Sequence, residues 1–304
     1  MQEATLPKEY ASLFDFDVVL DVVGCCNGFV LLSGFSYCKH RRLNVLNHRL
    51  IVLNPTTKDF LELPSPNCCF DDPKGDQIRH FKEYYLYGFS YDSFTDDYKV
   101  VTIFSNKRFL PIVHVYSLRS NTWKHVIEFP YKPFQTTKMS SSSAFTSGNI
   151  HRLAKNRCGY YVPTIVAFSV ADETFSEVPP PYHGDVLVSG HCKLVDVGGK
   201  LGLFEEVDGK VWLMNEYGVK KSWTTISLHG LHKNPICNEP AFLHTHQDGN
   251  IILVVRRNLI MIYNVEDKGR CKYCKATYPL GKDLTAKAIC VESLVSPINY
   301  GLTD

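Results

Sequence analysis

Cysteines three apart, histidines two apart and clustered carboxylates are the residues in this chain whose spacing could do chemistry. Cys271 and Cys274 bracket two residues, as zinc ligands do. Structural zinc takes four ligands, and no second CxxC or HxxxH follows nearby; Cys290, His244 and His246 could join only through the fold. The simpler reading is two cysteines alternating along an outer strand. The doublets Cys25-Cys26 and Cys68-Cys69 read as small, half-buried residues. His244 and His246 share one face of a strand, because side chains alternate with period two. They read either as a metal pair or as polar residues beside the turn Gln247-Asp248-Gly249. Asp71, Asp72, Asp92, Asp96 and Asp97 fall in turns, where Asp accepts hydrogen bonds from its own backbone. There is no GxSxG elbow, no recognisable Ser/His/Asp arrangement and no glycine-rich phosphate loop. The sequence thus predicts no catalytic residue, no cofactor and no metal.

The elements that must carry these residues follow from a repeat. The stretch LIVLNPTTKDFLELP (50–64) joins four apolar residues, suited to a strand buried on both faces, to a polar turn and a second extended run. Pro55 shapes that turn by fixing φ. The pattern returns in PIVHVYSLRSNTWKHV (111–126), TIVAFSVADETFSEVP (164–179), KVWLMNEYGVKKSWTTISL (210–228) and LIMIYNVEDKGRCKYCKATYPL (259–280). The aromatics Phe60, Trp123, Phe175, Trp223 and Tyr273 lie 63, 52, 48 and 50 residues apart, the spacing of propeller repeats. Phe60, Trp123, Phe175 and Trp223, recurring at one register, read as inter-blade packing anchors. Another hairpin precedes each of these, and Asn27-Gly28, Gly148-Asn149, Gly198-Gly199 and Asp248-Gly249 supply short turns.

Each repeat therefore reads as four antiparallel strands, one blade. The fold class is all-β, a kelch-like β-propeller of about six blades. Five repeats occupy 18–281, while 1–17 and 282–304 supply strands for a closing blade, all within a single domain spanning 1–304. No sustained 3.6-residue apolar period is present, so helix content should be low.

In a meandering blade with strands a to d, every b–c loop emerges at one end. Four of the five b–c loops are basic: Lys39, Arg41 and Arg42; Lys107 and Arg108; Lys155 and Arg157; Arg256 and Arg257. The fourth is acidic, with Glu205, Glu206 and Asp208. These form either ordinary solvated loops or a basic crescent facing a partner of matching potential. Net charge is only +2, so no global field recruits a polyanion or a membrane. Nucleic acid fits the crescent poorly, since no aromatic-interleaved basic strand accompanies it.

The longest apolar stretch, 251–265, is split by Arg256-Arg257 and is too short to span a bilayer. The first residues lack the basic and apolar segments of a signal peptide. Eleven cysteines at irregular spacing in a large chain suit a reducing compartment. The expected location is the cytoplasm, with the nucleus second.

GCCNGFVLL (24–32), LIVLNPTTKDFLELP, YGFSYDSFTDDYKVV (87–101), HVYSLRSNTWKHV (114–126) and VAFSVADETFSEVP (166–179) resemble the F-box-associated domain of plant F-box proteins, including the S-locus F-box group. The resemblance covers nearly the whole chain, in order. It implies recognition of a target protein for an SCF-type ubiquitin ligase, with a Skp-type adaptor and cullin reached through an F-box. Nothing before Gly24 resembles an F-box. The expectation is therefore a substrate-recognition module without its own ligase dock, or a stand-alone interaction module or competitor.

Overall fold

The computed structural model describes residues 18–37, 46–64, 84–105, 112–128, 131–133, 143–155, 163–181, 192–205, 209–228, 242–245, 250–255, 259–264, 270–275, 293–298 and 300. They form five antiparallel sheets, each a meander of four consecutive strands. Sheet 1 holds β1 (Val18–Cys26), β2 (Phe29–Tyr37), β3 (Leu46–Leu53) and β4 (Phe60–Leu63). Sheet 2 holds β5 (Tyr84–Asp92), β6 (Asp97–Ser105), β7 (Ile112–Ser117) and β8 (Thr122–Glu128). A two-residue strand, β9 (Lys132–Pro133), pairs beside β11 in sheet 3, whose meander is β10 (Ala144–Thr146), β11 (Asn149–Lys155), β12 (Pro163–Ser169) and β13 (Thr174–Val178). Sheet 4 holds β14 (Cys192–Val197), β15 (Lys200–Glu205), β16 (Lys210–Met214) and β17 (Trp223–Ser227). Sheet 5 holds β18 (Phe242–Thr245), β19 (Asn250–Val255), β20 (Leu259–Asn264) and β21 (Arg270–Lys275). One 3₁₀ turn, Lys220–Ser222, is the only helix among the described residues, and none is long and apolar enough to cross a membrane.

The chain divides into two compact units, residues 1–129 with 290–304 and residues 130–289. In the first, Phe29, Leu31, Leu50 and Val52 of sheet 1 pack against Tyr87, Phe89, Tyr98, Val100 and Tyr116 of sheet 2. The other face of sheet 1 gathers Val30, Leu32, Ile51 and Leu53, with Val22 and Phe60 against them. Leu50 to Leu53 are thus buried on both faces, as an unbroken apolar run requires. In the second unit, Ile165, Ala167 and Val178 of sheet 3 meet Leu194, Leu203, Trp212, Met214 and Trp223 of sheet 4. Each such side chain contributes roughly 1.5–3 kcal/mol on leaving water.

Turn chemistry sets the register. Asn27-Gly28 and Gly198-Gly199 form two-residue hairpin turns with positive φ at both positions, as the sequence predicts. The sheet 3 turn is Ser147-Gly148, one residue earlier than expected, and Asn149 already pairs with Thr146. The c–d turns repeat more closely still: Lys58, Asn121 and Glu173 occupy the same position in sheets 1 to 3, each with φ between 52° and 66°.

Two expectations need correction. Tyr273, taken as the aromatic of the fifth repeat, does not keep the register of the four anchors: Phe60, Trp123, Phe175 and Trp223 oppose Leu53, Tyr116, Phe168 and Met214, whereas the matching position opposite Tyr263 is Cys271. Tyr273 lies two residues further along β21, in register with Met261. The closing strands expected from the C-terminal tail do not include residues 293–298, which form no strand. Pro297 has no N–H to give a ladder, and the Asn54 side chain takes the carbonyls of Ser293 and Val295. The rest of the expected closing blade lies outside the described residues.

Candidate protein-binding site

The basic loops chosen from the sequence, with Lys39, Arg41, Arg42, Lys107, Arg108, Arg157, Arg256 and Arg257, lie outside the described residues, as do Glu206 and Asp208. Lys155 closes β11, in register with Pro163 of β12 and Lys132 of β9. Glu205 closes β15, and its carboxylate accepts the Trp212 indole N–H at 3.4 Å. In every meander these b–c connections leave at the end opposite the a–b and c–d turns. At that second end the structure builds a site that the sequence reading treated only as turn chemistry.

It centres on the sheet 2 hairpin YDSFTDDYK. Asp92 accepts the Phe94 N–H at 3.0 Å, the Thr95 hydroxyl at 2.7 Å and the Lys99 ammonium at 2.7 Å. Burial alone raises the Asp92 pKa, but these three donors outweigh it and hold the carboxyl below the usual range. Asp97 reaches across to the c–d turn, where it accepts the Ser117 hydroxyl and the Arg119 N–H. Asp96 is a hub. Its carboxylate accepts the Tyr91 hydroxyl and Arg119 Nη2, and its backbone carbonyl accepts Arg119 Nε, Arg119 Nη2 and the Tyr300 hydroxyl. The Tyr91 hydrogen bond is the largest cause of a lowered Asp96 pKa, and it pushes Tyr91 up to about 12. Tyr98 underlies the hub, with ring centres 4.7 Å from Phe29, 5.0 Å from Tyr91 and 4.9 Å from Tyr300. Arg119 lies over the Tyr300 ring at 5.8 Å. At the hairpin tip Phe94 is 89% exposed.

The tail completes this end of the first unit. Asn54, fully buried, donates both amide hydrogens outward, to Ser293 O at 2.8 Å and Val295 O at 2.6 Å. Its Oδ1 accepts the Thr56 and Thr57 N–H groups, so one side chain both shapes the turn and binds the tail. Leu294 stands 86% exposed on the outer side.

A family model described as the F-box associated beta propeller domain matches residues 4–272. The chain belongs to this family. The five sheets are blades of that propeller and are numbered as blades 1 to 5 from here. In Arabidopsis thaliana the chain is similar to F-box protein At3g07870, 29% identical over 67% of this chain and 49% of that one. F-box/kelch-repeat protein At3g23880 is 25% identical over 91% of this chain and 69% of its own length. F-box protein CPR1 is 31% identical over 68% of this chain and 51% of its own. The chain thus spans about half the length of the first of these relatives.

The blade framework explains the residues that first suggested chemistry. Cys271 and Cys274 both lie on β21, in register with Tyr263 and Ile260 of β20. Cys25 and Cys26, adjacent in β1, face opposite ways. His244 lies on β18, while His246, Cys68, Cys69, Asp71, Asp72 and Cys290 lie outside the described residues. Among the described residues no three His, Cys, Asp or Glu groups gather as metal ligands.

Trp123 and Trp223 behave as expected of anchors. The Trp123 indole donates to Pro64 O of blade 1 at 2.6 Å, and the Trp223 indole donates to Pro179 O of blade 3 at 2.9 Å. Each ring thus ties its blade to the proline that ends the preceding one. Sequence reasoning missed Asn54, Arg119, His151 and Tyr300. His151, fully buried in β11, bonds Ala144 O through Nδ1 at 3.2 Å and the Tyr217 hydroxyl of blade 4 through Nε2 at 2.7 Å. A carbonyl can only accept, so Nδ1 carries the proton and Nε2 accepts from Tyr217. Desolvation lowers the His151 pKa to about 4 and raises Tyr217 to about 12.

Proposed function

We propose that this chain is the target-capturing module of an SCF-type ubiquitin ligase receptor. The observation that carries this reading is the family match over residues 4–272, joined to relatives that are F-box proteins. The mechanism is non-covalent: a rigid blade scaffold presents loops to a target protein, and ubiquitin transfer takes place elsewhere in the assembly. The Skp-type adaptor and cullin are reached through an F-box. The basic b–c loops, with Arg41 and Arg42 foremost, steer a target surface of opposite potential, setting on-rate and specificity. The work takes place in the cytoplasm or nucleus, and neither nucleic acid nor membrane is a partner.

Affinity purification of the tagged chain from plant cells with the proteasome blocked, followed by mass spectrometry, tests this. Recovery of adaptor and cullin with a target supports the ligase reading. A stable target without them assigns a binding module or competitor uncoupled from ubiquitylation. Once a target is in hand, changing Arg41 and Arg42 to Glu should weaken binding about tenfold at low salt and leave the thermal midpoint unchanged. Unaltered affinity would remove the basic loops from the interface.

A further inference from the structure

We propose that the a–b/c–d end of blades 1 and 2 is a peptide-recognition site, filled in cis by the chain's own tail and able to bind a tyrosine-bearing peptide in trans. The argument starts from what the polar residue opening each c–d turn does. In blades 2 and 3 that residue is a serine whose hydroxyl is used within its own blade: Ser117 bonds Ser120 N–H and Asp97, and Ser169 bonds Asp172 twice. In blade 4 it is Asn215, and its two amide hydrogens go to Ser222 O and Thr224 Oγ1 of the same turn. Blade 1 alone among these four sends both donors out of the blade, to the carbonyls of residues 293 and 295.

Carbonyls two residues apart point the same way in an extended chain, so a single amide group reads two of them. Asn54 is fully buried, and without acceptors its two N–H groups would each carry a desolvation cost of roughly 1–3 kcal/mol. The site is therefore built around an extended backbone. Specificity comes five residues later. The Tyr300 ring packs edge-on against Tyr98 and Phe29, and its hydroxyl donates to Asp96 O at 2.7 Å. Arg119 covers the ring at 5.8 Å. Buried Pro297 stiffens the span between the two anchors and lowers the entropy lost on docking. Because residues 293–298 form no β-ladder with the blades, side chains rather than strand addition hold the segment. Such an arrangement discriminates among peptides and releases them without unzipping a sheet.

The ligand class is an extended peptide with a proline and a tyrosine spaced as in SLVSPINY (293–300). A partner carrying it displaces the tail, which acts as a tethered competitor. This inference stands apart from the ligase reading: a peptide that fails to bind leaves that reading intact, and loss of adaptor leaves this one intact.

The test is an anisotropy titration of fluorescein-labelled SLVSPINY against the full chain and its Tyr300→Ala variant. The variant should bind at least tenfold more tightly than the unmodified chain, and a peptide with its tyrosine changed to alanine should lose at least tenfold. No binding to a folded variant, or equal binding of the tyrosine-free peptide, overturns the proposal. Should Tyr300→Ala fail to fold, the unmodified chain decides. Excess SLVSPINY should speed amide exchange at 293–298 while β2 and β6 stay protected, and unchanged exchange at saturating peptide overturns the proposal.

Discussion

Blades 1 and 2 add a cluster of phenylalanine and tyrosine rings to their aliphatic contact, whereas blades 3 and 4 add two tryptophans and a buried histidine to theirs. At the first junction Tyr98 touches four other aromatic rings, and Asp96 and Arg119 of blade 2 pair beside them. At the second, Ile165, Val178, Leu194 and Leu203 form the contact, and His151 with Tyr217 supplies its buried polar link. Both junctions keep the tryptophan bonded to the preceding blade's terminal proline. The shared anchor fixes how consecutive blades approach. The remaining contacts decide how each junction responds to acid, to truncation and to a competing peptide.

Removing the shared anchor gives the largest effect. Trp223 is 9% exposed and Trp123 is only half-buried, so Trp223→Ala should cost about 3–5 kcal/mol and Trp123→Ala nearer 2 kcal/mol. Urea unfolding of both variants measures the difference, and equal losses would mean that burial does not separate the junctions.

Acid comes next. The folded His151 pKa, about 4, lies below the ordinary 6.5, so the fold favours neutral histidine. Its contribution is complete above pH 6.5 and disappears as pH falls toward 4, a loss of about 3 kcal/mol. His151→Gln should flatten the stability profile across that window. His114 in β7, desolvated and facing His125, is also held below the ordinary value, so His114→Gln provides the matching control within blade 2. The Asp92 carboxyl responds to acid in the same direction but in a lower window: its stabilisation is present above about pH 4 and goes only below it.

Asp92→Asn should cost about 2–3 kcal/mol, because it removes the carboxylate from a nearly buried ion pair with Lys99. The same change at exposed Asp96 should be much milder. The smallest effect is Tyr217→Phe, which keeps the ring and removes one hydrogen bond to His151, about 1 kcal/mol by thermal unfolding.

The alternation of apolar strands and polar turns made the blades legible, because each strand's burial and each turn's φ requirement are local properties. Phe60, Trp123, Phe175 and Trp223 fell on one register for that reason. Tyr273 did not: it keeps the spacing of the repeat but sits two residues past the position that opposes Tyr263, a difference that composition does not reveal. The site was far less visible. Asp92 reads as a turn residue and is one, but nothing near Asp96 or Asp97 announces that their partners are Arg119 and Ser117, on the next hairpin. Asn54 reads as half of an Asn-Pro turn, which is also correct. Its second role lies in two amide hydrogens whose acceptors are 239 and 241 residues away, a distance over which pattern carries no information.

That same separation governs the order of assembly during synthesis. Blades 3 and 4 are contiguous in sequence and can close their junction as soon as both have left the ribosome. The first unit takes in residues 290–304 and cannot be finished until these have left the ribosome. For the time needed to make the intervening chain, about 10–30 s at 5–20 residues per second, Asn54 and the Tyr98 pocket stand open on a nascent polypeptide. A chaperone, or the same segment of a neighbouring copy on the same message, would find the site vacant during that interval and would have to displace residues 293–300 afterwards.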